Sequence, residues 1–302
     1  MSSPKFPAVA VVIPCYNRWP HICEAVESVL AQTYPRVECV VVDDAPTEDT
    51  AEKLDGYYGN RIKVIRHKEN RQKSAARNTG VRNTSADYVC MLDSDDLLTP
   101  DSVASRMQVF LEFPDFYGVA YGYAVRDNDS SAPHKARPRE FPSGDVLDQY
   151  VLKRFLQNND FLLSRANMLK YGMFREDLTN REDIELLIRL ACHLPFHYCG
   201  QCVAYIRRVD QSACDDHAAF THQGVRLIEH IKADEVVRTR LGDKLHAIEF
   251  EERMELARAC YKLGDYSDFR EHTFDLFKKY PWRTLRELRL LRRLLKSLFM
   301  GS

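Results

Sequence analysis

An excess of charge of one sign is missing from this sequence. Its 302 residues carry 43 basic and 44 acidic side chains, a formal net charge of -1 at pH 7. No whole-molecule field gathers nucleic acid or an anionic surface, so any charged partner must be met by a local patch. Long apolar runs are missing too: no uncharged stretch approaches the roughly 18 residues a spanning helix needs. The opening MSSPKFPAVAVVIPCYN has one Lys and a short run broken by Pro14, too short for a signal peptide or a span. A disulfide framework is also absent. Nine cysteines are an odd number, and Cys15, Cys39 and Cys90 lie in apolar segments, a usage that fits a reducing cytoplasm.

What is present is ordinary for a soluble globular chain, 45% hydrophobic and 29% charged. From residue 8 to about 125, Val-rich runs alternate with helical spacing, which predicts a mostly parallel sheet covered by helices. The strand-like runs are AVAVVI (8–13), VECVVV (37–42), IKVIRH (62–67), DYVCML (87–92) and GVAYGYAV (118–125). Ile22, Ala25, Val26, Val29 and Leu30 recur at helical spacing between the first two. Further helices are expected near 74–83 and 101–112. Residues 126–142 are polar and aperiodic and predict a long surface loop, a lid or binding loop by its length. Beyond it come a helix at 143–156, an apolar FLLSR, a helix from Glu182 to His193 and a strand-like YCGQCVAYIRR. From about His217 the β signals stop. The helical remainder breaks at Gly242, Gly264 and Pro281, and 257–281 predicts a hairpin turning at Leu263-Gly264-Asp265. It looks like one tetratricopeptide unit, but a solenoid needs at least about three, so a packing appendage is the expectation.

Acidic clusters close two of the predicted strands: Asp43 and Asp44 in VVVDDA, and Asp93, Asp95 and Asp96 in MLDSDD. Carboxylates this close raise one another's pKa unless a cation joins them, so a metal site or a solvated helix start is implied. Strand ends of one polarity gather at one sheet edge, where open α/β sheets bind ligands. ENRQKSAARNTG (69–80) adds Arg77 on a helix that opens near Ser74, a setting for an anionic ligand. Acids, an arginine and room for a divalent cation together suit a nucleoside diphosphate.

VVIPCYNR, VVVDDA, SAARNTG, LDSDD and REDIELLIRL occur in the order and rough spacing of the family-2, GT-A-type inverting glycosyltransferases, which the chain resembles over about residues 8–210. The resemblance implies a GT-A fold with a catalytic domain at 1–215, split into a nucleotide-sugar half (1–125) and an acceptor half (126–215), and a helical region at 216–302. It implies transfer from a nucleotide-diphosphate sugar, by family habit a UDP-sugar, to a hydroxyl of a glycan or lipid-linked glycan in bacterial surface polysaccharide synthesis, assisted by Mn2+ or Mg2+. Carried over by position, Pro14, Tyr16 and Asn17 would line the nucleoside pocket, with Asp44 accepting from a base ring N–H. Arg77 would sit by the base or diphosphate, Asp93 by the ribose and Asp95 by the metal. Asp183 would be the general base, preceded by Glu182.

Two positions depart from the family pattern. Gln72 stands where a Gly is common two residues after Asn70. The slot of a metal- or diphosphate-facing His is filled by YIRRVDQSACDDH, with Asp210 near it and His217 beyond. Other readings are a degenerate homologue that binds donor without turnover and, from DSDD alone, a haloacid-dehalogenase-type phosphatase. In that phosphatase the motif would lie near the N-terminus, with a hydroxyl residue where Leu97 and Leu98 follow here. His193, His197, Cys199 and Cys202 allow a zinc reading, against which buried structural cysteines are weighed. Finally, residues 283–299 read as one amphipathic helix. Leu285, Leu288, Leu291, Leu294, Leu295 and Leu298 share a face opposite Arg286, Arg289, Arg293 and Lys296. That make-up suits an anionic membrane surface or docking on the enzyme. A cytoplasmic enzyme, peripheral on the inner face of the cell membrane and with no nucleic-acid partner, is the expectation.

Overall fold

A computed structural model of the chain describes residues 6–44, 49–127, 140–207 and 223–298. Contacts divide it into two units, one of Met1–Asp177 with Leu186–Asp210 and one of Leu178–Glu185 with Gln211–Ser302.

The first unit is built on an eight-stranded sheet of order β3-β2-β1-β4-β7-β6-β8-β5. Its strands are β1 Val9–Cys15, β2 Val37–Asp43, β3 Lys63–Arg66, β4 Tyr88–Met91, β5 Leu97–Leu98, β6 Val119–Asp127, β7 Phe161–Ser164 and β8 Phe196–Arg207. β1 to β4 are parallel, β6 and β8 run the same way, and β7 and β5 oppose them. The mostly parallel sheet is therefore as expected. Every residue of β1 is buried, which requires cover on both faces and explains its unalternated VAVVI. The helices are α1 His21–Leu30, α2 Thr50–Tyr58, α3 Gln72–Arg82, α4 Ser102–Glu112, α5 Leu147–Lys153 and α6 Arg165–Lys170. α1 buries Ile22, Ala25, Val26 and Val29, the face its spacing predicts.

α3 follows a different rule. Ser74, Ala75, Ala76, Arg77, Asn78, Gly80 and Val81 are all buried, though few are apolar. Small side chains let the helix lie close on the sheet: a Cβ at Gly80 would stand 2.2 Å from Val12 Cγ1. The polar ones have partners, since Asn78 Nδ2 donates to the Phe174 carbonyl at 2.9 Å and its Oδ1 accepts the Phe174 N–H at 3.0 Å. Gly80→Ala is expected to lower stability by about 1–3 kcal/mol through overpacking. Urea unfolding checks this, and an unchanged midpoint would refute the close-approach argument.

Some expectations need correcting. The predicted 126–142 loop begins later, because β6 runs through Arg126 and Asp127; residues 128–139 of it lie outside the described residues. The helix at 143–156 shortens to α5, since Gly144 is bridged to Phe196 and Arg154 takes a left-handed φ of 43°.

The helical remainder consists of α7 Glu182–Ala191, whose first turn groups with the second unit, then α8 Gln223–Ala233, α9 Glu235–Leu241, α10 Lys244–Leu263, α11 Tyr266–Lys279, α12 Pro281–Arg286 and α13 Leu288–Ser297. The predicted hairpin is α10–α11. Gly264 turns it at φ 81°, and Asp265 caps α11 by accepting the Asp268 N–H at 3.1 Å. Phe250, Met254, Phe269, Leu276 and Leu290 are among the apolar side chains of its core. The predicted single helix at 283–299 is instead broken at Glu287, between α12 and α13. Leu290 is buried and Leu294 packs on the core, whereas Leu288 is 65% and Leu295 62% exposed.

Candidate active site

Register brings the predicted clusters together. Cys15 lies beside Asp43, Asp43 beside Arg66, and Val12 beside Met91, so β3, β2, β1 and β4 end along one edge. Pro14 is the penultimate residue of β1, and Tyr16 and Asn17 lie just beyond the strand's end at Cys15. Asn17 takes a left-handed φ of 50°, which Asn tolerates better than most residues. Tyr16 is among the exposed large side chains of the unit.

Asp44 follows β2, its N–H donating to the Cys15 carbonyl at 2.8 Å. Its buried carboxylate meets His67 and Arg71. Oδ1 lies 2.7 Å from His67 Nδ1 and accepts the Arg71 N–H at 2.9 Å. Next to Arg71, Gln72 holds φ at 70° with its N–H donating to Asn70 Oδ1 at 3.0 Å. The left-handed backbone there accounts for the Gly common at this position in the family. Asp43 is wholly buried, and burial pushes its carboxyl up to about 6, against the pull of Arg66.

Arg77, only 1% exposed, donates through Nη2 to Asp93 Oδ1 at 2.6 Å while its guanidinium lies 5.2 Å from the Phe174 ring centroid. The acidic loop is tied down by a residue the sequence does not flag. Asn159 Oδ1 accepts the Asp93 N–H at 2.9 Å, and its Nδ2 donates to Asp96 Oδ2 at 2.6 Å. Asp96 Oδ1 accepts the Arg207 N–H at 2.9 Å, and Arg207 Nε donates to the Asp95 carbonyl at 2.5 Å. Burial and then Asp93 push Asp96 up to about 8. The same two causes raise Asp95, with Arg18 and Arg207 opposing.

These contacts allow a test of the implied metal. Among the described residues no group of three or more His, Cys, Asp or Glu side chains converges on one point. Mg2+ and similar ions, however, are commonly held by one or two carboxylates together with substrate phosphates. Asp95 fits that donor set: a hard oxygen ligand, partly desolvated and crowded by Asp93, whose charge a cation would relieve. The side chains of the zinc reading have other neighbours. His193 stacks on Tyr171 at 4.6 Å between ring centroids, and His197 lies 4.5 Å from Tyr117.

Pro14, Tyr16, Asn17, Asp44, Arg77, Asp93 and Asp95 therefore all belong to the first unit, at its strand ends or bonded to them. Asp183 belongs to the second, in the first turn of α7, with its Oδ1 accepting the Ile184 N–H at 2.8 Å. Asp210 and His217 lie outside the described residues. Sequence reasoning missed His67, Asn159 and Arg207. His67 ends the predicted strand 62–67, so the strand-end rule already pointed at it; Asn159 carries no such signal.

The model of the family described as glycosyl transferase family 2 matches residues 10–211. A chondroitin synthase of Escherichia coli is 41% identical over 245 residues, 80% of this chain and 34% of that protein. An uncharacterized glycosyltransferase of Rickettsia felis is 27% identical over 197 residues, 64% of this chain and 33% of that one. The chain thus spans about a third of the length of these two relatives. Among solved structures, Staphylococcus aureus TarS 1–349 in complex with UDP-GlcNAc superposes with a TM-score of 0.66 at 17% identity, covering 96% of this chain and 89% of that one. The shared architecture is the GT-A fold.

Proposed function

The chain belongs to glycosyl transferase family 2, and from that premise we propose that it moves a sugar, with inversion, from a nucleotide-diphosphate sugar to a hydroxyl of a glycan or lipid-linked glycan. The family match spans LDSDD and displaces the phosphatase reading. The observation that carries the proposal is the convergence of Asp44, Arg77, Asp93 and the Asp95 loop at the ends of β1, β2 and β4. In this reading residues 1–125 bind the donor, residues from 126 to about 215 bind the acceptor, and the helical remainder is an appendage.

Each side chain then has one task. Pro14, Tyr16 and Asn17 line the nucleoside, and Asp44 accepts from a ring N–H of the base. Arg77 fixes Asp93, whose remaining oxygen meets the ribose. Asp95 would hold a divalent cation, Mn2+ or Mg2+, which would supply Lewis-acid stabilisation of the charge on the departing diphosphate. Asp183 takes the acceptor hydroxyl proton as that oxygen bonds to the anomeric carbon and the bond to the diphosphate breaks. Uracil, like guanine, offers a ring N–H to a carboxylate, and UDP-GlcNAc, which TarS holds in its complex, favours uracil of the two. Bacterial surface polysaccharide is the product class that suits the named bacterial relatives.

A thermal-shift screen of nucleotide sugars with Mn2+, followed by donor hydrolysis with and without the metal, tests the reading. A shift confined to UDP-sugars and metal-dependent release of UDP are expected. Binding without any hydrolysis or transfer would favour the degenerate homologue.

Where the enzyme works is a second part of the proposal. On α13, Leu288 and Leu295 are exposed beside Arg289, Arg292 and Lys296, and Leu298 and Trp282 are exposed nearby. Leucines next to a basic stripe suit the anionic inner face of a cell membrane. Leu288→Ser with Leu295→Ser is expected to cut co-sedimentation with phosphatidylglycerol vesicles at least about tenfold. Equal binding to neutral phosphatidylcholine vesicles would sink the idea.

A further inference from the structure

The Asp44 carboxylate is held from behind by a buried histidine that the reaction itself does not use. His67 follows β3, and its N–H donates to the Asp43 carbonyl at 2.8 Å, which seats the ring between the end of β2 and α3. Nδ1 stands 2.7 Å from Asp44 Oδ1, and Nε2 stands 2.9 Å from the Thr79 hydroxyl. Side-chain exposure is 7% for His67 and 5% for Asp44. The Arg71 N–H, at 2.9 Å, is a second donor to the same oxygen.

Two donors on Oδ1 fix the carboxylate plane, because rotation about its terminal bond would break both hydrogen bonds inside a buried setting. Among the described residues no donor reaches Oδ2. With Oδ1 held in this way, Oδ2 is set in one direction. A carboxylate facing His67 requires Nδ1 to carry a proton, and the Thr79 hydroxyl, which can donate or accept, satisfies Nε2 on the other side of the ring. The carboxylate thereby sets Nδ1 as the donor, Thr79 holds the far side of the ring, and His67 in turn fixes the carboxylate's orientation.

We infer that His67 is a positioning residue for base selection: through Nδ1–H it keeps Asp44 Oδ2 aimed as an acceptor, which favours a base with a ring N–H, such as uracil, over one with a ring acceptor there, such as cytosine. The inference rests on the reading of Asp44 as the base-binding carboxylate. A site built to accept from an N–H rejects the analogue lacking it, because buried polar groups would be left unpaired. A merely structural His67, cementing β3 to α3, would weaken all nucleotides alike.

The test is isothermal titration of the full chain with UDP and with CDP, in Mn2+, for the wild type and for His67→Phe, His67→Asn, His67→Gln and Thr79→Val. The wild type is expected to prefer UDP. His67→Phe is expected to lower the UDP-to-CDP affinity ratio about tenfold, the scale of one hydrogen bond to a charged group. His67→Asn, whose amide nitrogen can stand where Nδ1 stands, is expected to restore the ratio to within about threefold, while His67→Gln, which mimics Nε2, is not. Thr79→Val should fall between. Equal losses for UDP and CDP, or equal rescue by Asn and Gln, would overturn the role of His67. If His67→Phe does not fold, the contrast between Asn and Gln still decides. A wild type that binds neither nucleotide, or both equally, fails at the prior step, the base-binding role of Asp44, and removes this inference with it.

Discussion

Asp183→Asn is expected to bind donor within about twofold of the wild type and to transfer sugar between a hundredfold and ten-thousandfold more slowly, the range a positioned general base contributes. The substitution keeps the side chain's shape, and the amide oxygen can still accept the Ile184 N–H that Asp183 Oδ1 accepts now, so the first turn of α7 is preserved. What is lost is the ability to remove a proton. Donor titration beside steady-state transfer separates the two effects, because a mutation that spoils only the transition state lowers kcat without weakening ground-state binding. Transfer at the normal rate would show that another group takes the proton.

The second large effect belongs to the acidic loop. Asp95→Asn is expected to abolish the metal-dependent part of donor affinity, at least about a hundredfold, since loss of an outer partner alone costs 10–100-fold. The wild type treated with a chelator should match it. A control distinguishes this from damage to the fold. Burial and Asp93 hold the Asp95 carboxyl above its ordinary range, so its ionised form is a cost to the unliganded protein. A neutral amide removes that cost, and the metal-free melting temperature should be no lower than the wild type's, with any gain growing as pH rises. If Asp95→Asn binds donor with Mn2+ as the wild type does, the metal is held elsewhere or not needed.

Much of this was legible in the sequence. The parallel strands announce themselves by Val runs too uniform for a one-sided sheet, and Asp44, Asp93 and Asp95 could be placed at one edge because each follows such a run. The family pattern then supplied roles that spacing alone could not. β5 was not legible: two leucines carry no periodicity, and Leu97–Leu98 is a strand only because β8 pairs with it. Asn159 was invisible for a similar reason, as its bonds to Asp93 and Asp96 join residues more than sixty positions apart. The break at Glu287 has neither Gly nor Pro to mark it. The leucine pattern runs on past a point where the Glu287 N–H turns to the Thr284 carbonyl at 3.1 Å.

The tight seat of Gly80 on Val12 has a consequence beyond folding. α3 carries Arg77, which grips the acid loop, and Thr79, which steadies the histidine behind Asp44, within one turn of that glycine. A shim inserted beneath the helix would therefore tilt both grips in the same movement. Gly80 should be felt by nucleoside and diphosphate together, as a lever's fulcrum is felt at both of its ends.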